Sequence, residues 1–337
     1  MPGSMIIAGT AMKKIAIVLL LGMLSASDIA AQAQQTPRLP RVARLSPSSA
    51  PADEIMLAGF RRGLKEHGWI ENKNIALEYR FADGKTDRLN DLAAELVRLK
   101  VDIILSGATV GAQAAKRATS TIPIVLVTTG DPVAAGLVAS LARPGGNLTG
   151  VTALGQELSG KRLQLLKEAL PGINQVAVLS NPTNPDSKFS VKEVEVAAHD
   201  LGVKLKVHEA GDPTKLEGSF RTMSAERAGA VLVLTDSMFL THRKRIVELA
   251  AHHRLPAMYP ISEYANAGGL MFYGANFPEM YRHAAVFVDK ILKGSKPADL
   301  PVEQAKKFEL VINLKTAKQI GLTIPPNVLA RADRVIR

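Results

Sequence analysis

Short apolar runs alternate with longer amphipathic stretches along most of the chain. The apolar runs have the length of strands and lie at residues 42–45, 75–79, 103–105, 124–127, 176–179, 203–207, 231–234 and 257–259. Stretches with helical periodicity lie at residues 54–67, 88–99, 161–170, 191–201 and 243–253. Apolar strands separated by helices are typical of parallel sheets with crossover helices. The pattern therefore predicts an α/β protein.

The same pattern of a strand followed by a turn occurs twice, about 130 residues apart. The segment RVARLSP at 41–47 returns as QVAVLSNP at 175–182, and VDIILS at 101–106 corresponds to AVLVLT at 230–235. Repeats of about 20 to 50 residues indicate solenoids, whereas this period is the size of a whole domain. The sequence predicts two similar α/β lobes with a ligand cleft between them.

Two glycine-rich segments interrupt the series and are candidate crossings between the lobes. They are PGGN at 144–147 and the glycine-flanked strand at 268–274. A pair of crossings makes a hinge. We predict that lobe 1 comprises residues 38–157 and 270–304, and that lobe 2 comprises residues 158–269 and 305–337.

The N-terminal segment has the basic, apolar and A-x-A order of a secretory signal peptide. Two lysines precede an apolar run at 15–24, and small residues follow up to the A-Q-A at 31–33. We expect residues 1–33 to be a signal peptide cleaved after Ala33, which places the mature protein in the periplasm. A signal anchor is the alternative, and Met12 is an alternative start.

The composition narrows the classes of function. The chain has no cysteine, which excludes disulfides, thiolate catalysis, cysteine-ligated metals and a lipid-modified N-terminal cysteine. Its formal net charge of +11 would suggest nucleic acid in a cytoplasmic protein. It has no zinc-finger, helix-turn-helix or RNA-binding aromatic motif, however, and we expect no nucleic-acid partner. We interpret the charge as lineage composition, with steering of small anions or docking to a membrane surface as the alternative.

Motifs for catalysis and for metal or nucleotide binding are incomplete. The segment at 155–161 has P-loop spacing, but Arg162 stands where Ser or Thr must hold magnesium. We predict instead a helix with Lys161 and Arg162 on its exposed face. His252 and His253 lack the i, i+4 spacing that places two imidazoles on one helix face, and no G-x-S-x-G elbow follows a strand. We expect no enzyme activity, no cofactor and no metal.

Two long runs resemble one family of extracytoplasmic substrate-binding proteins of ABC transporters. The first is GDPVAAGLVASLARPGGNLTG at 130–150, and the second is KFELVINLKTA at 307–317, continued by GLTIPP at 321–326. The resemblance covers the chain from about residue 41 to residue 337. It implies two Rossmann-like lobes with parallel sheets joined by a three-strand hinge, which is the type I periplasmic binding protein fold.

The resemblance also implies a function. Proteins of this family close on a small-molecule ligand and deliver it to an ABC permease in the inner membrane, and they catalyse nothing. Some relatives bind aromatic amino acids, including tryptophan, but this sequence departs from the tryptophan-binding branch at 260–264. The ligand therefore stays open between an amino acid and an organic or aromatic acid. A periplasmic sensor that passes closure to a membrane signalling partner is the alternative, and a monomer is the default state.

Small polar residues end several of the predicted strands. Ligands of open parallel sheets bind beyond the carboxyl ends of strands, where free N–H groups and the helix dipole favour a carboxylate. Residues 106–109 are the best carboxylate site, because Gly107 would let a ligand approach the backbone and Thr109 adds a hydroxyl donor. The alternative for each strand-end residue is that it only caps a helix. The strand-end candidates are Ser46, Ser106, Gly107, Thr109, Asn181 and Asn184.

Acidic and aromatic residues complete the candidate site. Asp131 and Asp236 could pair with a ligand ammonium group, with helix capping as the alternative. Four of the five tyrosines fall between residues 259 and 281. Tyr259 and Tyr264 are the preferred pair for stacking on a flat or apolar ligand group, with ordinary core packing as the alternative.

Overall fold

The computed structural model describes residues 38–155 and 157–337. The predicted signal peptide at residues 1–33 lies outside these ranges. Within them, no helix is both long enough and apolar enough to cross a bilayer.

The first lobe is built on a six-stranded sheet in which every neighbouring pair is parallel. The strands are β1 (Arg41–Ser46), β2 (Ala76–Phe81), β3 (Ile103–Gly107), β4 (Ile124–Thr128), β5 (Leu148–Thr152) and β11 (Glu303–Gln304). Their order in the sheet is β11-β5-β4-β3-β1-β2. The helices of this lobe are α1 (Ala50–Glu66), α2 (Leu89–Arg98), α3 (Ala108–Ala118) and α10 (Phe277–Leu292). Short 3-10 turns lie at Thr86–Arg88 and Pro297–Asp299.

The second lobe is built on a seven-stranded sheet. The strands are β6 (Gln175–Ser180), β7 (Lys204–Glu209), β8 (Ala230–Val233), β9 (Ala257–Tyr259), β10 (Met271–Ala275), β12 (Phe308–Asn313) and β13 (Arg334–Ile336). Their order in the sheet is β13-β12-β10-β9-β8-β6-β7. The helices are α4 (Glu157–Ala169), α5 (Ser187–Asp200), α6 (Lys215–Ala225), α7 (Ser237–Thr241), α8 (Arg243–His252), α9 (Ser262–Asn266), α11 (Leu314–Gln319) and α12 (Pro326–Leu329). Only β10 and β12 pair in antiparallel fashion within this sheet.

The two sheets share one topology. The order β2-β1-β3-β4-β5 in the first lobe is repeated as β7-β6-β8-β9-β10 in the second. The central strands of both sheets are buried, except for Gln175 at the start of β6, which is half-buried. Burial on both faces explains why their sequences are continuous apolar runs rather than alternating ones. The predicted α/β fold with two parallel-sheet lobes is confirmed.

In the part of the chain that the structure describes, the backbone passes between the two sheets three times, between β5 and α4, between β10 and α10, and between β11 and β12. Two details of the predicted crossings are wrong. The segment at 144–147 leads into β5 within the first lobe, because it supplies a turn there. Strand Met271–Ala275, assigned to lobe 1 from the sequence, pairs with β9 and β12 in the second sheet, so the crossing follows it.

Arg162 connects two of these crossings, and its predicted exposure is wrong. The side chain is 1% exposed. Its Nε donates to the carbonyl oxygen of Tyr273 at 2.7 Å, just before the second crossing. Burial lowers the pKa of this guanidinium to about 10.

Leu154, within the first crossing, has a φ of 44°, a strained value for a residue that is not glycine.

Close packing of α1 against α10 determines the geometry of the first lobe's ligand-facing edge. A Cβ atom on Gly59 would overlap the carbonyl oxygen of Pro278, and one on Gly63 would overlap that of Arg282. The two helices therefore approach backbone to backbone, which only glycine permits. Asp53 lies on α1 and Tyr281 on α10, so this contact fixes the distance between them.

Gly63→Ala is expected to lower the free energy of unfolding by about 1–3 kcal/mol, because the added methyl group overpacks a tight contact. Fluorescence of Trp69, the single tryptophan of the sequence, would measure this in a denaturant titration, since its Nε1 donates to Asp289 of α10. Gly218→Ala is the matched control. A Cβ there meets nothing within 4 Å, so this helical position should gain about 0.5–1 kcal/mol. If Gly63→Ala left the free energy of unfolding unchanged, the inferred close contact between the two helices would be wrong.

Candidate functional site

A cavity lies between the two lobes at the carboxyl ends of their central strands. It encloses about 690 Å³ of space unoccupied by atoms, part of it open to solvent. Crevices at the carboxyl ends of strands, where the strand order reverses, are the usual ligand sites of such sheets. Among the described residues, no group of three or more His, Asp or Glu side chains could hold a metal ion.

Half of the predicted site residues line this cavity. They are Ser46, Gly107, Thr109, Asn184 and Asp236. The remaining five predicted residues lie outside it, for reasons that differ between the strand-end residues and the tyrosines.

Ser106, Asn181 and Asp131 do not line the cavity. Successive side chains of a strand point to opposite faces, so Ser106 points under α3, where its Oγ lies near Gly111. Asn181 closes its own turn by accepting from the Thr183 backbone N–H at 3.0 Å. Asp131 accepts from the backbone N–H of Val133 at 2.8 Å and of Ala134 at 3.2 Å. Asn181 and Asp131 therefore stabilise turns of their own backbone, and neither of them caps a helix.

The predicted role of Tyr259 and Tyr264 as walls of the cleft is wrong. The two rings stack on each other inside the second lobe, with centroids 4.7 Å apart and an interplanar angle of 12°. Both are buried, and neither lines the cavity. The cause is the late second crossing, which leaves β9 and α9 within the second lobe.

Tyr264→Phe is expected to raise the free energy of unfolding by about 1 kcal/mol, because the buried hydroxyl of Tyr264 has no hydrogen-bond partner among the described residues and an unsatisfied polar group is costly. Thermal or denaturant unfolding of the variant would measure the gain. A loss of stability would instead show that the hydroxyl has a partner, such as a bound water.

A buried ion pair forms the floor of the cavity on the side of the first lobe. Arg44 of β1 and Asp53 of α1 are 3% and 1% exposed. They form two parallel hydrogen bonds, Nε to Oδ2 at 2.8 Å and Nη2 to Oδ1 at 2.7 Å. Burial alone would lower the pKa of Arg44, but Asp53 and Tyr281 raise it above its usual value. The arginine is therefore permanently charged, and Asp53 balances that charge.

Tyr281 and Gly107 complete this floor. The Tyr281 hydroxyl oxygen accepts from Arg44 Nη2 at 2.8 Å. A Cβ atom on Gly107 would lie 2.5 Å from Nη2 of Arg44 and 2.9 Å from the Tyr281 oxygen. Glycine is therefore required at position 107 by the guanidinium beside it, and not only by a ligand. The next residue, Ala108, begins α3 with a φ of 57°, a strained value that is common at functional sites.

The lobes meet across the cavity through Thr109 and Asp186. Thr109 Oγ1, at the first turn of α3, donates to Asp186 Oδ2 at 2.7 Å. Burial raises the pKa of Asp186, a shift that the Thr109 hydrogen bond opposes and the nearby Asp131 increases. A Cβ atom on Gly130 would lie 2.6 Å from Asp186 Oδ2. A second contact between the lobes runs from the Ser49 backbone N–H to Thr241 Oγ1 at 3.2 Å.

Asp236 serves both as a cap and as part of the cavity wall. Its Oδ1 accepts from the backbone N–H groups of Met238 and Phe239 at the start of α7, at 2.9 and 3.0 Å. Its Oδ2 accepts from the amides of Asn181 and Asn184, each at 3.1 Å. Burial raises the pKa of Asp236, although these four hydrogen bonds lower it.

Sequence reasoning missed four residues at this site. They are Arg44, Asp53, Asp186 and Tyr281. A signal existed for Arg44, because a charged residue inside an apolar strand must have a buried partner. Tyr281 belonged to the noted tyrosine cluster but was not selected. Apolar side chains complete the cavity wall, namely Met56, Leu240, Ile261 and Phe277.

Three known proteins are similar to this chain in sequence or in fold. A curated relative from Clostridioides difficile, named "Tyrosine-binding protein", is 28% identical over 268 residues, which are 78% of this chain and 76% of the relative. A solved structure of a conserved domain protein from Vibrio cholerae is 30% identical with a TM-score of 0.83, covering 88% of this chain and 100% of its own. An ABC domain from Streptococcus pneumoniae in complex with L-Trp is 25% identical with a TM-score of 0.81 and the same coverage.

The family itself follows from a match over nearly the whole chain. The family model described as "ABC transporter substrate binding protein" matches residues 41–336. The resemblance inferred from residues 130–150 and 307–326 is thereby confirmed, and the family is one of solute-binding proteins and not of enzymes. The chain belongs to the family of ABC transporter substrate-binding proteins.

Proposed function

We propose that this chain is the extracytoplasmic receptor of an ABC importer and that it captures an α-amino acid with a large apolar side chain between its lobes. The observation that carries the proposal is the distribution of charge in the cavity. Two carboxylates line it from the second lobe, a helix N-terminus lines it from the first, and apolar side chains lie between them. A zwitterion with an apolar side chain is complementary to that arrangement.

The ammonium group of such a ligand would bind on the side of the second lobe. The charges of Arg44 and Asp53 balance each other, so Asp186 and Asp236 give the cavity a net negative charge. Both oxygens of Asp236 are already hydrogen bonded to the protein. Within residues 38–155 and 157–337, the Asp186 carboxylate has a single donor, Thr109, and it is therefore the better partner for a cation. Burial of a carboxylate is costly unless a cation or donors compensate it.

The carboxylate group would bind at the start of α3. Gly107, the N-cap residue of this helix, provides no side-chain hydrogen bond to the first turn. The N–H groups of the first turn have no intrahelical partner and carry the positive end of the helix dipole. The hydroxyls of Ser46, Ser48 and Thr128 lie in the same wall. This is the carboxylate position predicted from residues 106–109.

The relatives support an apolar side chain of this size. One is named for tyrosine binding, and another contains L-Trp. In the present chain the side chain would contact Met56, Leu240, Ile261 and Phe277. The departure from the tryptophan-binding branch at 260–264 falls partly on this wall, at Ile261. The choice among tyrosine, tryptophan and branched aliphatic amino acids therefore depends on contacts that this chain does not share with that branch.

Hinge closure would couple binding to transport. The three crossings allow the lobes to separate, while the Thr109–Asp186 contact holds them together. A ligand that binds both lobes favours the closed state by its differential affinity for that state. The closed surface is then what an inner-membrane permease would recognise. The periplasm is the expected location, in agreement with the family and with the predicted signal peptide.

A ligand screen on the purified protein tests this proposal. Thermal unfolding would be measured with L-tyrosine, L-tryptophan, L-phenylalanine and L-leucine. Two analogues would be measured beside them, namely tyramine, which lacks the carboxylate, and 3-(4-hydroxyphenyl)propionate, which lacks the ammonium group. A ligand at a hundredfold excess over its Kd stabilises the folded state by about 2.7 kcal/mol. We expect the unfolding temperature to rise only with the zwitterionic amino acids. Equal binding of the propionate would show that the ligand is an organic acid.

Transport itself requires a cellular measurement. Deletion of the gene should abolish uptake of the amino acid identified in the screen, and the intact gene should restore uptake. If uptake is unchanged while a transcriptional response to that amino acid is lost, the protein is a sensor and the importer assignment is wrong.

A further inference from the structure

A tyrosine hydroxyl in the cavity has a proton that the protein does not use. Tyr281 lines the cavity, is 2% exposed and makes one side-chain hydrogen bond within the described ranges, in which its oxygen accepts from Arg44 Nη2. A phenol is both a donor and an acceptor. Since its oxygen is engaged by Arg44, its O–H bond must point away from the guanidinium.

Arg44 cannot itself contact a ligand without losing a bond. A guanidinium has five N–H donors. Nε and one hydrogen of Nη2 are bound to Asp53 at 2.8 and 2.7 Å, and the other hydrogen of Nη2 is bound to Tyr281. Nη1 donates to the carbonyl oxygens of Leu45 and Leu105, at 2.9 and 3.5 Å. All five donors are thus directed at the protein, and Arg44 acts on a ligand only through Tyr281.

The Tyr281 oxygen also lies at the start of α3. It is 2.9 Å from the position of a Cβ atom on Gly107, the residue before the first turn of that helix. The phenolic proton and the N–H groups of the first turn therefore face the same small volume. An anionic acceptor satisfies both.

We infer that Tyr281 is a specificity-determining residue that donates a hydrogen bond to the ligand carboxylate, and that Arg44 and Asp53 are positioning residues that orient its hydroxyl. This rests on the proposed function, because it concerns one end of the same ligand. Its consequence is selectivity for a free carboxylate over an uncharged carboxamide, because hydrogen bonds to charged acceptors are about twice as strong.

Calorimetry on Tyr281→Phe tests the inference, with L-tyrosine, L-tryptophan and L-leucine each measured beside its carboxamide. We expect the affinity for the amino acid to fall about tenfold to a hundredfold, and that for the carboxamide to fall less. Tyr281→Met is a second variant, because its sulfur still accepts weakly from Arg44 but cannot donate. Tyr273→Phe removes a hydroxyl from a ring outside the cavity and should leave both affinities unchanged.

The outcomes separate this inference from the proposed function. If the unmodified protein binds an amino acid and Tyr281→Phe binds it equally well, or loses amino acid and carboxamide affinity by the same factor, the inference is overturned while the proposed function stands. If the unmodified protein binds none of the three amino acids, the proposed function fails and this inference fails with it.

Discussion

Asp53→Ala is expected to lower the free energy of unfolding by about 3–5 kcal/mol, because removal of one partner of a buried ion pair leaves an uncompensated charge in the interior. Asp53 is 1% exposed and accepts three side-chain hydrogen bonds, two from Arg44 and one from Ser46 Oγ at 3.0 Å. Its loss would leave the Arg44 guanidinium without an anion. Trp69 fluorescence in a denaturant titration reports the unfolding of this lobe.

The double variant Arg44→Met, Asp53→Leu separates the cost of an unpaired charge from the cost of lost packing. Replacement of both partners by apolar residues of similar volume is often neutral or stabilising, so most of the loss should be recovered. The affinity for an amino acid should not recover, because Tyr281 would lack the donor that orients its hydroxyl. If Asp53→Ala costs less than about 1 kcal/mol, the range found for exposed pairs, the pair is not desolvated as the structure indicates.

The fold could be predicted from local sequence because its central strands are covered on both faces. β3, β4 and β8 are buried along their whole length, and β6 is buried after its first residue, Gln175, so each is a short apolar run between turns. The duplication was equally visible, since β1 and β6 occupy the same position in their sheets. The second crossing was misplaced because a glycine-flanked strand has the same appearance in either lobe. Its pairing with β12 depends on a segment more than thirty residues later.

The site was harder to predict because its key contacts join distant positions. Strand ends are found from the sequence alone, and five of the predicted residues do line the cavity. The sequence alone does not show which face of the sheet a residue at a strand end lies on. Gly107 lines the cavity, whereas the neighbouring Ser106 does not. Arg44 and Tyr281 are 237 positions apart, and no spacing rule connects them. Tyr281 differs from Tyr259 and Tyr264 only in following the second crossing, which places it in the first lobe.

Asp186→Asn is expected to weaken the binding of an amino acid by about 2–5 kcal/mol, because the ammonium group loses the carboxylate that pairs with it in a desolvated cavity. Asparagine keeps the size of the side chain and an oxygen that can still accept from Thr109 Oγ1. The variant therefore removes the charge without removing the contact between the lobes. Thr109→Val removes the contact between the lobes and keeps the charge of Asp186. We expect it to weaken amino acid binding less than Asp186→Asn does.

The pH dependence gives an independent measurement of the same interaction. Burial raises the pKa of Asp186 above its ordinary value, so the free carboxylate gains its proton on acidification sooner than an exposed aspartate. Only the ionised form pairs with an ammonium group. Affinity should therefore be full above this raised pKa and fall as the pH decreases through it, with a proton released on binding in that range. Asp186→Asn should flatten this profile, leaving only the contribution of Asp236.

Asp131→Asn is the control, because the sequence alone offered Asp131 as the ammonium partner while the structure shows it bound to backbone N–H groups of its own turn. Its substitution should change the affinity only slightly and shift the pH profile to lower values, since its charge contributes to the raised pKa of Asp186. A large loss with Asp131→Asn and none with Asp186→Asn would assign the ammonium group to Asp131 instead. Equal losses for an amino acid and its deaminated analogue in Asp186→Asn would show that the residue acts on closure and not on the cation.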